Sequence, residues 1–145
     1  MNRGLSSEML HATSVAKGGR AVLMTGRSGS GKSDLALRLF DRGFVLVSDD
    51  QTMLSKADHR LIASAPPAIL GKLEVRGIGI VDVTPTYHVP VCLIVELAGA
   101  VERMPDGSSE RVILGITVPL VTIDALTASA SAKVELALDR LGLEA

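Results

Sequence analysis

The chain has 145 residues, 47% of them hydrophobic, which predicts a single domain over residues 1–145 with a substantial apolar core. A formal net charge of −1, no Trp, one Tyr and two Phe argue against a nucleic-acid partner, which would need basic runs or aromatic stacking platforms. No apolar run reaches membrane-spanning length and no apolar signal segment follows Met1, so the sequence predicts a cytoplasmic protein without a membrane partner.

The first predicted elements form a strand–loop–helix unit. Residues 20–25 are an apolar strand, which the turn at residues 17–19 joins to an earlier strand. Residues 33–42 have apolar positions at helical spacing and are followed by a glycine, which is typical of a helix end. A short apolar run at residues 44–47 then predicts a buried strand.

The rest of the chain is predicted to be mostly strands, with one closing helix. The predicted hairpin joins residues 53–54 to residues 61–63. Two extended segments follow at residues 73–76 and 78–83, two further strands at residues 91–97 and 112–123, and the closing helix at residues 128–141. The polar segment 104–109 is expected to form an exposed, mobile loop. This order predicts an α/β fold, with a central mixed, curved sheet flanked by helices.

Residues 26–33 carry the most specific motif. They read Gly-Arg-Ser-Gly-Ser-Gly-Lys-Ser and match the pattern G-x-x-x-x-G-K-[ST] in full, between a predicted strand and a predicted helix. In such a loop the backbone N–H groups surround phosphates, Lys32 reaches the β- and γ-phosphates, and the Ser33 hydroxyl binds magnesium. We therefore predict a P-loop for ATP and Mg²⁺, with contacts from Gly26, Ser28, Gly29, Ser30, Gly31, Lys32 and Ser33.

A pair of carboxylates follows the apolar run at residues 44–47. Asp49 and Asp50 stand where a P-loop protein places the carboxylate that contacts its metal. Neighbouring residues of an extended strand point to opposite sides, so one carboxylate is expected to face magnesium and the other an acceptor hydroxyl. The alternative is a solvated turn at a strand end, but a complete P-loop nearby favours the functional interpretation.

Four segments together resemble the HPr kinase/phosphorylase family. Residues 26–39 form the P-loop and the start of its helix, and residues 42–50 are similar to the family's helix end with its R-G and V-A-D-D motifs. Residues 73–83 read Leu-Glu-Val-Arg-Gly-Ile-Gly-Ile-Val-Asp-Val, close to the family signature L-E-I-R-G-L-G-I-I-D-V. His11 stands where the family has a histidine upstream of the P-loop. The resemblance covers roughly residues 10–125, most of a domain of this size.

The resemblance implies a reaction and a division of roles. The family transfers phosphate from ATP to a serine of the small phosphocarrier protein HPr. It also catalyses the reverse, in which inorganic phosphate attacks phosphoserine and gives pyrophosphate. The resemblance implies that Asp49 is the acid/base group and that Asp50 and Ser33 hold Mg²⁺. It also implies that His11 lies near the phosphates and assists Asp49.

Three further residues are assigned by the resemblance alone. Glu74 and Arg76 belong to the family's catalytic neighbourhood, and Arg103 matches an arginine that contacts the transferring phosphate. Without the resemblance, other interpretations are open. Glu74 and Arg76 lie two apart on a predicted strand and fit a surface ion pair, and Arg103 fits a solvated charge before a polar loop. The upstream histidine also fits a purely structural role.

The sequence departs from the longer family members and resembles a short, single-domain form. The longer members carry an additional N-terminal domain and an arginine-containing loop after the last apolar strand, whereas residues 121–125 contain no arginine. Those parts serve assembly and allosteric control in the longer members. The sequence therefore leaves open whether this chain forms a homo-oligomer and whether it catalyses phosphorolysis on its HPr-type partner.

Three functions remain open at this point. The first is an ATP- and magnesium-dependent serine kinase acting on an HPr-type phosphocarrier. The second is a nucleotide-sensing regulatory module with little or no phosphotransfer, and the third is a P-loop kinase for a small molecule. Retention of Lys32, Ser33, Asp49 and Asp50 favours the first over the second. The lack of an insertion long enough to form a lid argues against the third.

Overall fold

The computed structural model describes residues 6–99 and 109–145 of the chain. Within these ranges the chain forms eleven strands, two α-helices and one short 3-10 turn. In chain order these are β1 (Ser7–Leu10), β2 (Ala12–Lys17), β3 (Arg20–Thr25), α1 (Lys32–Phe40), β4 (Val45–Ser48), β5 (Thr52–Ala57), β6 (Arg60–Ser64), the 3-10 turn (Pro67–Ile69), β7 (Lys72–Val75), β8 (Gly79–Asp82), β9 (Val89–Leu97), β10 (Ser109–Ile113), β11 (Ile116–Ile123) and α2 (Ala130–Leu141).

Nine of these strands form one mixed sheet, in the order β1-β5-β6-β9-β3-β2-β4 with β11 and then β10 joined at β9. Strand β9 runs parallel to β3 and to β11, and all other neighbours are antiparallel. Strands β7 and β8 form a separate hairpin. The predicted α/β P-loop fold with a curved, mixed sheet is confirmed.

Both helices pack on one face of the sheet. Leu35 and Leu39 of α1, together with Val134 and Leu138 of α2, are buried against Leu93 of β9 in one apolar cluster. The two helices have 9 and 12 residues, and no helix in the described part of the chain is long and apolar enough to cross a membrane. Since Leu35 and Leu39 are buried in this cluster, the apolar positions at helical spacing predicted the buried face of α1 correctly.

The opposite face of the sheet is covered by the sheet itself. A second cluster contains Leu23 of β3, Leu54 of β5, Ile94 of β9 and Val118 of β11. The β5–β6 and β10–β11 hairpins supply the outer side of this cluster, so the sheet folds over on itself. A curled sheet can bury apolar side chains on both faces with helices on only one of them.

A bulge in β9 links the two clusters. Ala21 of β3 pairs with Val91, but the next residue, Val22, pairs with Leu93, so Cys92 has no partner on β3. An extra residue shifts the alternation of a strand by one position. As a result Val91 packs in the second cluster, whereas both Cys92 and Leu93 pack against the helices.

One predicted strand is wrong in its extent. The apolar run 112–123 was expected to be continuous, but a turn at Leu114 and Gly115 divides it into β10 and β11. Both turn residues have positive φ, 51° and 80°. The apolar residues on both sides of Gly115 concealed this turn, because Leu114 is not a residue type that usually adopts that conformation. Most of the loop predicted at 104–109 lies outside the described residues.

Candidate active site

The P-loop connects the end of β3 to α1, and its shape depends on glycine at two positions. A Cβ on Gly26 would lie 2.7 Å from Ser30 Oγ, too close without a shift, and 3.2 Å from the carbonyl oxygen of Leu97, which is a tight contact. Gly31 has φ 99° and precedes the first residue of α1. The Ser30 N–H donates to the Arg27 carbonyl at 3.0 Å, which closes the loop into a turn. The sequence motif therefore forms a compact loop at a helix N-terminus.

Lys32 is buried beneath this loop. Its Nζ donates to the carbonyl oxygens of Gly26 and Arg27 at 2.8 and 3.0 Å. Burial lowers the pKa of Lys32 below its usual value, and the nearby charges of Asp50 and Asp49 oppose that shift. A cation is thus held between the loop and the two carboxylates, where it can attract phosphate oxygens.

Asp49, at the end of β4, is buried and fixed by three donors from three other elements. The Thr13 hydroxyl of β2 donates to Oδ1 at 3.0 Å, and the Ser33 hydroxyl of α1 donates to the same oxygen at 2.5 Å. The backbone N–H of Glu74 in β7 donates to Oδ2 at 3.0 Å. Asp49 therefore joins the P-loop helix, the sheet and the β7–β8 hairpin.

Asp50 points the other way and is 66% exposed. Its φ of 67° lies in the left-handed region, which aspartate tolerates better than most residues and which turns the side chain away from that of Asp49. His11 Nε2 lies 2.7 Å from Asp50 Oδ1. The Asp50 N–H donates to Thr13 Oγ1 at 3.1 Å, so one threonine hydroxyl contacts both aspartates. The two adjacent carboxylates thus face different surroundings, as the sequence predicted.

The β7–β8 hairpin brings the signature segment to the site. Buried Leu73 anchors the hairpin in the apolar cluster that contains both helices, and the Glu74 N–H donates to Asp49. The side chain of Glu74 is exposed, as is Arg76 in the turn that follows, and no ion pair joins them in the described ranges. The structure therefore places Glu74 beside the carboxylates and Arg76 at the hairpin tip. Arg103 lies outside the described residues.

Thr13 is a site residue that the sequence reading missed. It is fully buried in β2 and, with Ser14, forms the polar pair in an otherwise apolar segment of alanines and valine. A buried hydroxyl in such a strand needs a partner, and this need was the available signal. Its partners lie 36 and 37 positions along the chain, so only the fold identifies them.

The donor set fits a magnesium ion bound together with phosphates. Ser33 Oγ and Asp49 Oδ1 lie 2.5 Å apart and are hard oxygen ligands of the kind that Mg²⁺ prefers. The described part of the chain contains no group of three or more His, Cys, Asp or Glu that could hold a metal alone. Mg²⁺ needs no such group, because it commonly binds one or two protein oxygens plus substrate phosphates and water.

Comparison with known proteins gives consistent matches. The model of the HPr Serine kinase C-terminal domain matches residues 4–141. HPr kinase/phosphorylase from Clostridium botulinum is 49% identical over 78 residues, which are 54% of this chain and 26% of that protein. The same-named protein from Lacticaseibacillus casei is 35% identical over 127 residues, which are 79% of this chain and 40% of that protein.

A solved structure is similar over almost its whole length. The Hpr(Ser) kinase/phosphatase from Coxiella burnetii superimposes with a TM-score of 0.80 at 31% identity, covering 91% of this chain and 94% of that chain. The curated relatives are longer, and the chain spans about a quarter to two fifths of their length.

Proposed function

Because the chain belongs to the family of the HPr serine kinase C-terminal domain, we propose that it is an ATP- and magnesium-dependent kinase for a serine of an HPr-type phosphocarrier protein. One observation carries the proposal: the last hydroxyl of the P-loop, on Ser33, contacts Asp49, while the adjacent Asp50 is exposed and pairs with His11. A phosphate-binding loop and an accessible carboxylate are thus adjacent, as transfer to an incoming hydroxyl requires.

The P-loop binds the phosphates of ATP. Lys32 is the first residue of α1, so its charge and the free N–H groups at the start of the helix belong to the same loop–helix junction, and a helix N-terminus favours anions. The Ser30 hydroxyl is buried without a hydrogen-bond partner in the described residues. An unpaired buried hydroxyl costs roughly 1–3 kcal/mol, so a phosphate oxygen that accepts this hydrogen bond would remove a defect of the free loop.

The contacts favour the opposite assignment of roles to the two aspartates from the one that the resemblance implies. Asp49 is buried and contacts the Ser33 hydroxyl, so these two residues would hold Mg²⁺. The bound ion would neutralise charge on the γ-phosphoryl group. Asp50 is exposed and has a single side-chain contact among the described residues, with His11, where Asp49 receives three donors, so its carboxylate is accessible to an incoming hydroxyl and suits the acid/base role.

The transfer step follows from this assignment. The serine oxygen of the partner bonds to the γ-phosphorus, the bond from that phosphorus to the ADP oxygen breaks, and the serine proton passes to the Asp50 carboxylate. Hydrogen bonding to His11 holds that carboxylate in place. In the reverse direction the protonated Asp50 returns its proton to the serine oxygen as inorganic phosphate takes up the phosphoryl group and forms pyrophosphate. Lys32 stabilises charge on the phosphates in both directions.

The surroundings of Asp50 suit a protein acceptor. Asp50 and His11 have side chains that are 66% and 53% exposed, so a serine on a protruding segment can reach them. Glu74 and Arg76 lie on the neighbouring exposed hairpin and would contact that segment. The contact of Arg103 with the transferring phosphate remains a prediction from the resemblance.

Several broader assignments belong to the same proposal. The cytoplasm supplies ATP and phosphocarrier proteins, so the activity is placed there. A single catalytic domain over residues 1–145 remains a prediction, and assembly into a homo-oligomer stays as open as the sequence left it. The kinase direction is expected to dominate, because residues 121–125 lack the arginine loop that would add positive charge for inorganic phosphate.

The test is incubation with γ-labelled ATP, Mg²⁺ and purified HPr-type proteins from the same cell. Label should appear as phosphoserine on one acceptor, and chelation of Mg²⁺ should abolish it. Lys32→Ala should lose transfer while keeping its circular dichroism spectrum. Binding of ATP without transfer to any acceptor would contradict the kinase proposal and support a nucleotide-sensing module.

A further inference from the structure

The histidine and both aspartates of the site lie in a gap between two antiparallel ladders. The pair of Ser14 with Ser48, which begins the β2–β4 ladder, continues the register of the β1–β5 ladder. Between the two ladders stand residues 11–13 on one side and residues 49–51 on the other. The described structure contains no ladder pairs between these two segments. The site therefore lies where two paired strands separate and then pair again.

Three buried hydroxyls bond to the backbone where the ladder is interrupted. The hydroxyls of Thr13 and Thr52 bond to backbone groups across the gap, at 3.1 and 3.0 Å. The Ser48 hydroxyl donates to the carbonyl oxygen of Gln51 at 2.5 Å, within the second segment. All three side chains are fully buried. Because buried backbone groups need hydrogen-bond partners, these hydroxyls allow the strands to separate inside the protein.

The segment that Ser48 closes contains a strained turn. The Gln51 N–H donates to the Asp49 carbonyl oxygen at 2.7 Å, and Asp50 between them has φ 67°. A hydrogen bond between residues two apart, with positive φ at the central residue, defines the rarer and strained form of the γ-turn. Strain of this kind persists only where the surrounding contacts hold the backbone in place. The hydrogen bond from Ser48 to the end of the turn is such a contact.

We propose that Ser48 is a positioning residue for phosphoryl transfer, which aims the Asp50 carboxylate at the acceptor by closing this turn. The assignment rests on the proposed kinase function, in which Asp50 takes the proton of the acceptor serine. Ser48 is fully buried, so it acts through the turn and not by touching a substrate. If the turn relaxed to negative φ, the Asp50 side chain would leave the direction in which it meets His11.

The contact is specific to this chain in one respect. Residues 47–50 read Val-Ser-Asp-Asp, whereas the family motif V-A-D-D has alanine in place of Ser48. The resemblance therefore predicts no hydroxyl at this position. It does indicate that alanine fits there, so Ser48→Ala should fold.

Steady-state kinetics of Ser48→Ala test the positioning role. The variant should lower kcat about tenfold, because small displacements of a reacting group slow transfer strongly. The KM for Mg²⁺-ATP should stay unchanged, since the P-loop keeps its contacts. Ser14→Ala is the matched control. Ser14 is equally buried and pairs with Ser48, but its hydroxyl bonds to Thr52 and not to the turn, so kcat should stay unchanged.

Amide hydrogen exchange followed by NMR tests the turn in the absence of nucleotide and acceptor. In Ser48→Ala the Gln51 amide should exchange about tenfold faster, because its hydrogen bond to the Asp49 carbonyl opens more often. In Ser14→Ala it should exchange as in the parent.

The two measurements separate the possible failures. If Gln51 exchanges at the parent rate in Ser48→Ala, Ser48 does not hold the turn and the positioning role is wrong. If exchange is faster but kcat is unchanged, the turn does not control transfer; the positioning role is again wrong, and the proposed function stands. If the parent transfers phosphate to no acceptor, the proposed function fails and the positioning role fails with it, even where exchange shows that Ser48 closes the turn.

Discussion

Asp49 and Asp50 are adjacent in sequence, yet the fold gives them opposite surroundings. Asp50 has a left-handed backbone, with φ 67°, two residues after the end of β4. One carboxylate therefore enters the protein and receives three hydrogen bonds, while the other reaches solvent and His11. The sequence showed that the two residues would differ in environment, but it could not show which one would be buried, because that depends on a single φ angle.

The first prediction separates the two carboxylates. Asp50→Asn removes the proton acceptor, so kinase turnover should fall by about 10²–10⁴-fold with nucleotide affinity nearly preserved. Asp49→Asn removes a magnesium ligand, so its loss of activity should be reduced by raising the Mg²⁺ concentration. Turnover as a function of Mg²⁺ in both variants is the measurement.

The same measurement can show instead that Asp49 is the base and Asp50 the magnesium ligand, as the family resemblance implies. If Asp50→Asn turns over like the parent while Asp49→Asn loses turnover at every Mg²⁺ concentration, Asp49 is the base. His11→Asn serves as a companion variant. It removes the partner of Asp50 without removing its carboxylate, and so should cost less turnover than Asp50→Asn.

The second prediction concerns Thr13, whose hydroxyl donates to Asp49 and accepts from the Asp50 backbone. Thr13→Val keeps the shape and removes both hydrogen bonds, so turnover should fall by at least about tenfold as the two carboxylates lose their alignment. Ser14→Ala is the control, since Ser14 is equally buried on β2 but bonds to Thr52 instead. Both variants should lose about 0.5–2 kcal/mol of unfolding free energy by urea titration. Equal turnover in the two variants would contradict a positioning role for Thr13.

At the scale of elements, the P-loop was predictable because its chemistry is local. The motif at residues 26–33 specifies its own turn, through close contacts of Gly26 and the left-handed Gly31, and it lies between the predicted strand and helix. The β10–β11 hairpin was not predictable in the same way. Its turn uses Leu114 inside an apolar run, and only pairing with the rest of the sheet makes that conformation favourable.

The elements of the helix-side face are joined by a charged cluster. Glu135 of α2 accepts from Lys17 at the end of β2 and from Arg42 after α1, the latter at 2.9 Å. These hydrogen bonds, with that of Lys17 the stronger, hold the pKa of Glu135 below its ordinary value of 4.5. Because the folded pKa lies below the unfolded pKa, this stabilisation is present above about pH 4.5 and is lost as pH falls through the folded pKa.

The third prediction follows from the lowered pKa of Glu135 in the folded state. Glu135→Gln should be less stable than the parent at neutral pH, and the difference should shrink as the pH falls below 4.5 and through the lowered pKa of Glu135. Urea midpoints at a series of pH values measure the effect. Asp139→Asn, at an exposed position of the same helix, should leave the pH profile parallel to that of the parent. Parallel profiles for Glu135→Gln as well would show that the cluster contributes nothing to folding.

At the scale of the whole molecule, the fold class followed from the order of elements, but the arrangement of the core did not. The segment 91–95 reads as a continuous apolar run, which gives no period from which to assign faces. The bulge at Cys92 determines which side chains face the helices. The site also depends on tertiary contacts, since Thr13 on β2 meets Asp49 through the pairing of β2 with β4, and Glu74 joins them only when the β7–β8 hairpin packs beside that pair.

The last prediction concerns the cooperativity of unfolding. Strand β9 contributes to both apolar clusters, so the domain should unfold in one transition, and a ligand that contacts several elements should stabilise all of it. Mg²⁺-AMP-PNP at about a hundredfold excess over its dissociation constant contributes about 2.7 kcal/mol. That stabilisation corresponds to a rise in Tm of about 5–10 °C for a domain of this size. Melting followed by far-ultraviolet circular dichroism tests this, with Lys32→Ala as the variant that should show little shift. Two separated transitions, only one of which moves with ligand, would show that the two faces of the sheet unfold independently.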